Sequence, residues 1–281
     1  MSRASEDVVA ELIAFGRELE ALGAAQTGAA FTTDSAANEL LESSADAFLL
    51  GVLFTQGITA ERAWAGPYLL RERLGTLDLR FLAENPDAVR SAVQRSPMLH
   101  RFKETLPRWI CAAAEKLLTE YGGDAARIWP AGDDVLAVTE RLSAFRGIGR
   151  KKAVMAAEII TRHFGVELAG RECGQVAYDV QVRRVFLRSG LVDIDTRDAI
   201  EAAASAACAE APGTLDLPAW LIGRETCRPK APRCDECRLA AVCPRLVERN
   251  ADGVGARARG GSSARAPYSA LRKTRPESSL G

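Results

Sequence analysis

The 281-residue chain sets 37 lysines and arginines against 37 aspartates and glutamates, with 47% hydrophobic and 26% charged residues. This ordinary globular composition excludes general disorder, collagen and a coiled-coil rod. The longest apolar run, residues 47–54, holds eight residues with Gly51 among them, far short of the roughly 20 that cross a bilayer.

Met1 leads into a polar, acidic stretch without an apolar core, so no secretory signal is expected and the protein is expected in the cytoplasm, on the nucleoid if bacterial. Nine acids and two bases fall in residues 1–50, a net of −7, leaving +7 for the rest. That asymmetry allows a basic working face on a neutral protein; a solvated acidic helix explains it equally well.

Periodicity is helical along the chain. Val8, Leu12, Ile13 and Leu19 recur at helical spacing, as do Leu106, Ile110, Ala114, Leu117 and Leu118, with short Gly-, Pro- and Asp-rich gaps between such segments. An all-α fold follows. Gly122-Gly123-Asp124 stops one helix, and the loop from Pro130 to Asp134 offers an aspartate to cap the next.

Two helical patterns then meet at Phe145-Arg146-Gly147-Ile148-Gly149-Arg150-Lys151-Lys152. Glycines at 147 and 149 permit positive φ and close backbone approach, while Ile148 can pack between the helices. The second helix would point its first N–H groups and positive dipole end at an anion such as a DNA phosphate. Asp179 follows as a lone acid in an apolar setting, ahead of Arg183 and Arg184. It can serve as a helix N-cap, or pair with Lys151, whose amine can attack a sugar C1′ as the base departs.

Four of seven cysteines fall as Cys227-x6-Cys234-x2-Cys237-x5-Cys243. In a cytosolic protein this is a metal site rather than a disulfide framework, and four thiolates suit structural zinc or a 4Fe–4S cluster. Arg228, Lys230 and Arg233 lie between the first two ligands and can grip a phosphate backbone. From about residue 250 the chain turns to Gly, Ser, Ala and Arg, a composition unable to bury a core.

The hairpin ending in Lys151, Asp179 in Val-Ala-Tyr-Asp-Val-Gln-Val-Arg-Arg-Val, and the cysteine spacing together resemble the endonuclease III branch of the helix-hairpin-helix DNA glycosylases. The likeness runs from about Ala47 to Cys243. It implies a 4Fe–4S cluster on the four cysteines, Lys151 as nucleophile and Asp179 as its carboxylate partner. It likens Gln56 to the glutamine that fills the gap left by a flipped nucleotide, and Leu99 in Met98-Leu99-His100 to the wedge in the opposite strand. Arg150 and Lys152 join the phosphate contacts, with Arg183 touching phosphate or pairing with surface acids. Lys151 and Lys152 stand about 100° apart on a helix, so only one can face the substrate; the resemblance selects Lys151 and sends Lys152 to phosphate or solvent.

The implied layout is N-terminal helices in 1–43, a six-helix domain in 44–164, an iron–sulfur domain in 165–243 that the N-terminal helices join, and a disordered basic tail in 244–281. The implied activity is a monomeric bifunctional glycosylase and abasic-site lyase acting on duplex DNA, with damaged pyrimidines as the family's usual substrates. Three departures stand out: about ten extra residues between Arg162 and Ala177, Gln181 in place of a histidine, and Thr59 in place of an acid. The alternatives are an adenine-mispair glycosylase, which would carry a catalytic Glu where Gly51 stands, a non-catalytic DNA-binding protein, and a structural zinc protein.

Overall fold

The structure, a computed structural model, describes residues 3–21 and 31–249. Among these residues it is all-helical, with one isolated β-bridge and no longer strand. No described helix is long and apolar enough to cross a membrane. The chain divides into two units, Ala30–Ala177 and a second made of Met1–Ala29 with Tyr178–Gly281.

The chain opens with α1 (Arg3–Ala21), which belongs to the second unit. The first unit then runs through α2 (Ser35–Ser43), α3 (Ala45–Phe54), α4 (Ala60–Trp64), α5 (Gly66–Leu74), α6 (Leu79–Glu84), α7 (Pro86–Gln94), α8 (Thr105–Glu120), α9 (Val135–Ser143) and α10 (Arg150–Arg162). Eight described α-helices fall in the 44–164 stretch expected to hold six, because several are single turns or pairs broken at a helix-initiating proline such as Pro67 or Pro86. At their centre is α3. Every residue from Ala47 to Phe54 is buried, so the longest apolar run is a core helix, apolar on all sides because it is covered on all sides. Asp134 caps α9 by accepting from the N–H groups of Leu136 and Ala137.

Both limits of this unit differ from the expected 44 and 164. Helix α2 packs on α3 and α5, with Ala37 and Leu41 buried, and so belongs here. The extra residues after Arg162 also stay: the Gly132 N–H donates to the Glu167 carbonyl, Ala169 N–H to Asp133 and Val135 N–H to Ala169, and Leu168 enters the core. They are anchored at the start of α9, at the far end of that helix from the hairpin turn.

In the second unit α1 packs against α13 (Asp216–Glu225) and the turn Pro212–Leu215, while α11 (Val180–Arg188) crosses α13; α12 is Arg197–Ala207. Residues 244–249, expected in the tail, are bonded to this unit. Leu246 N–H donates to the Arg188 carbonyl, and Arg249 pairs with Asp193 at 2.6 Å. Residues 250–281, which carry the rest of the expected disordered tail, lie outside the described residues.

Candidate nucleic-acid interface and cysteine site

The turn between α9 and α10 is tight. Gly147 adopts φ +91°, and a Cβ there would lie 2.5 Å from the Trp109 ring, so both the backbone and the neighbouring indole require glycine. Ile148 is buried between the helices. Gly149 needs glycine for neither reason: its φ is negative and a Cβ would meet nothing within 4 Å. What its missing side chain leaves is open access to the backbone where α10 starts, and no side chain caps that helix. Arg150 and Lys151 are exposed in its first turn.

Lys152 corrects the expectation of a phosphate contact. It is buried, and its Nζ donates to the Leu53 carbonyl at 2.8 Å and lies 5.7 Å from the centre of the Trp109 ring. Burial, with the nearby Lys151 charge adding to it, pushes its ammonium down to about 7. The adjacent Phe54 carbonyl is held by His100 at 3.1 Å. Because the His100 Nδ1 accepts the Phe102 N–H, its Nε2 carries the proton and donates. Burial holds this imidazole below its ordinary pKa, which keeps it neutral.

The 96–100 loop also differs from expectation. Leu99 is buried in the core with its N–H donating to the Val93 carbonyl, where the resemblance had it reaching out of the loop. Met98 is 48% exposed and is the apolar side chain the loop presents. Arg73 braces this loop by donating to the carbonyls of Ala92, Arg95 and Pro97, and Arg62 donates to that of Met98. Gln56, exposed, follows Thr55, the C-cap of α3. The structure thus brings together the Gln56 segment, the Met98 loop and the hairpin at the C-terminus of α3. Sequence reasoning missed His100, Met98 and Trp109. The only available signal was that two apolar neighbours, Met98 and Leu99, seldom point the same way.

Asp179 belongs to the second unit, where it caps α11 by accepting the Gln181 N–H at 2.9 Å. The preceding Tyr178 donates its hydroxyl to Asp195. Arg183 is committed to that same carboxylate through Nε and Nη2 and lies over the Tyr178 ring. The surface-acid alternative for Arg183 is therefore the one observed, and this pairing holds its pKa above the ordinary value and that of Asp195 below.

Cys227, Cys234, Cys237 and Cys243 line one small pocket, together with Val185, Arg188, Ile222, Thr226 and Leu239. The Arg188 guanidinium is 3.8 Å from the Cys227 sulfur, and the Arg245 N–H donates to that of Cys243 at 3.4 Å. Burial, and then the neighbouring thiols, raise the pKa of Cys237 and Cys243. Among the described residues no three His, Cys, Asp or Glu side chains close on a single ion. Arg228 and Lys230 are exposed. Arg233 is turned inward, donating to the Glu225 carbonyl and to Glu236, so it braces the loop rather than extending from it.

No family model and no curated protein matches the sequence. Solved structures do. A trapped endonuclease III–DNA covalent intermediate is 21% identical over 73% of this chain and 85% of that chain, with a TM-score of 0.51. A thermostable thymine-DNA glycosylase is 12% identical over 88% and 98%, at 0.57. The 8-oxoguanine DNA glycosylase of Pyrobaculum aerophilum, complexed with 8-oxoguanosine, is 19% identical over 78% and 88%, at 0.50. The all-helical arrangement, with its glycine-turned hairpin between α9 and α10, is the fold of the helix-hairpin-helix DNA glycosylases.

Proposed function

We propose that the protein is a base-excision DNA glycosylase with abasic-site lyase activity, acting on duplex DNA as a monomer. The observation that carries this reading is the division of labour between two adjacent lysines: Lys151 is exposed in the first turn of the uncapped hairpin helix, and Lys152 is turned into the core. In this reading the N–H groups starting α10 and the exposed Arg150, Arg228 and Lys230 take phosphate. Met98, in place of Leu99, enters the opposite strand, and Gln56 fills the vacated position.

The Lys151 amine attacks C1′ of the damaged nucleotide, and the C1′–base bond breaks with its electron pair leaving on the base. In this reading Asp179 accepts a proton from the lysine and stabilises positive charge developing on the sugar. The amine then loses a second proton and the C1′–O4′ bond opens, O4′ taking a proton, to give a Schiff base; this acidifies C2′, and loss of the C2′ proton expels the 3′ phosphate and nicks the strand. Damaged pyrimidines are the proposed substrates. The adenine-mispair alternative is disfavoured by α3 itself, since a Cβ at Gly51 would already lie 2.7 Å from the Trp64 ring, leaving no room for a glutamate.

The four cysteines fit a 4Fe–4S cluster. Their pocket is otherwise mostly apolar, and two N–H donors face its sulfurs. Zinc would need all four sulfurs about 2.3 Å from one point, whereas a cuboidal cluster gives each thiolate its own iron. Bound there, the cluster supplies a cross-link that folds residues 227–243 and shapes the Arg228–Lys230 loop, with no electron assigned to the reaction.

Borohydride trapping on a duplex with one abasic site tests the reading. A covalent complex is expected from iron-loaded wild type, the same complex formed more slowly from Lys152→Ala, and none from Lys151→Ala. Absence of a complex with folded, iron-loaded wild type would refute the lyase step.

A further inference from the structure

The proposed chemistry makes no use of the buried Lys152. Its ammonium holds the Leu53 carbonyl, and one residue on His100 holds that of Phe54. The last two carbonyls of α3 are thus bound by side chains from two other segments, the first turn of α10, which carries Lys151, and the loop that carries Met98. The main chain of α3 continues from there into Gln56. Three segments with separate tasks in the proposed function are pinned at two adjacent peptide groups.

Resting on that reading, we infer that Lys152 is a positioning residue: it ties the turn bearing Lys151 to the end of α3 bearing Gln56, and so sets the attacking amine relative to the space-filling glutamine. The final carbonyls of a helix lack partners within it and carry the negative end of its dipole, so a cation is held there by charge as well as by a hydrogen bond. The Trp109 ring adds a second attraction from its face. That same ring packs against Gly147, so turn, lysine and indole form one packed group. Lys151 and Lys152 share a helical turn, which cannot shift at one residue and stay fixed at the other. A displacement of about 1 Å at reacting atoms costs on the order of a hundredfold in rate, so a tether on this turn acts directly on catalysis.

The test uses the full iron-loaded chain with Lys152→Met and Lys152→Gln, the second deciding if the first does not fold. Amide hydrogen exchange at residues 54–58 and 98–102 is measured beside single-turnover trapping on abasic duplex and duplex affinity. The expected result is exchange at 54–58 faster by about tenfold with residues 178–249 unchanged. Trapping at saturating duplex slows by about tenfold or more while Kd stays within about threefold, the pattern of an interaction that matters at the transition state rather than in binding. Folded variants that trap at the wild-type rate overturn the inference, whatever their exchange. If wild type traps nothing while exchange still rises in the variants, the tie stands and the lyase reading is what fails.

Discussion

Lys152 gives up its proton at about 7 in the folded protein against 10.5 for an ordinary lysine, so between those values the unfolded chain binds a proton that the native chain has released. Stability rises with pH wherever the unfolded state holds more protons. The burial penalty on this ammonium is therefore fully present below about pH 7 and is relieved progressively up to about 10.5, by at most on the order of 5 kcal/mol. Urea unfolding at a series of pH values should show that increment in wild type relative to Lys152→Met, which has no such proton; parallel curves would contradict it. Nothing in the sequence announces this residue. Two lysines side by side read as alternatives for one surface role, and only Trp109 and the Leu53 carbonyl, 43 and 99 residues away in the chain, reveal that one is inside. That Leu99 is buried and Met98 exposed was illegible for the same reason, because burial within a short irregular loop has no periodicity to read.

Helix α11 carries its charge inward. Arg184 donates to the carbonyls of Gly223 and Cys227, and Arg188, one turn on, donates to those of Arg228, Pro229 and Arg249; both are buried. Together they fasten the entry of the cysteine loop and its exit to one helix. Arg188→Met should leave three carbonyls without their donor and cost about 3 kcal/mol. A thermal melt lower by several degrees, with faster release of iron from the proposed cluster to a chelator, is the expected readout; an unchanged melt would mean water replaces the guanidinium. The α11 segment itself was legible from its apolar spacing and from Asp179 as a cap. The direction of its arginines was not, since their carbonyl partners lie 39 to 61 residues further on. Local signals did suffice where the partner is local, as with Asp134 capping α9 and the glycines that end α8.

At the scale of the molecule, the all-helical fold, the hairpin and the grouping of four cysteines could all be read from periodicity and spacing, because each is set by residues close in sequence. The course of the chain through its two units could be expected only from the resemblance, and the boundary at 177 shows where the sequence carries no mark: the segment before it is held by main-chain pairing to residues 132–135. The acidic N-terminus likewise finds its role in three dimensions. Glu11 and Glu18 pair with Arg238, the residue after Cys237, and Phe15 lies beneath its guanidinium. Beside them Val8, Leu12, Phe15 and Leu19 are at most 8% exposed. Burying four such side chains contributes roughly 6–12 kcal/mol, comparable with the whole stability of a typical domain. Removing residues 1–29 should therefore unfold the unit that contains Asp179 and the cysteines and spare the other. The expected hydrogen-exchange pattern is loss of protection throughout 178–249 with protection kept in α3 and α8; uniform loss would instead show that the two units fold as one, and uniform retention that α1 contributes little beyond the Arg238 ion pairs.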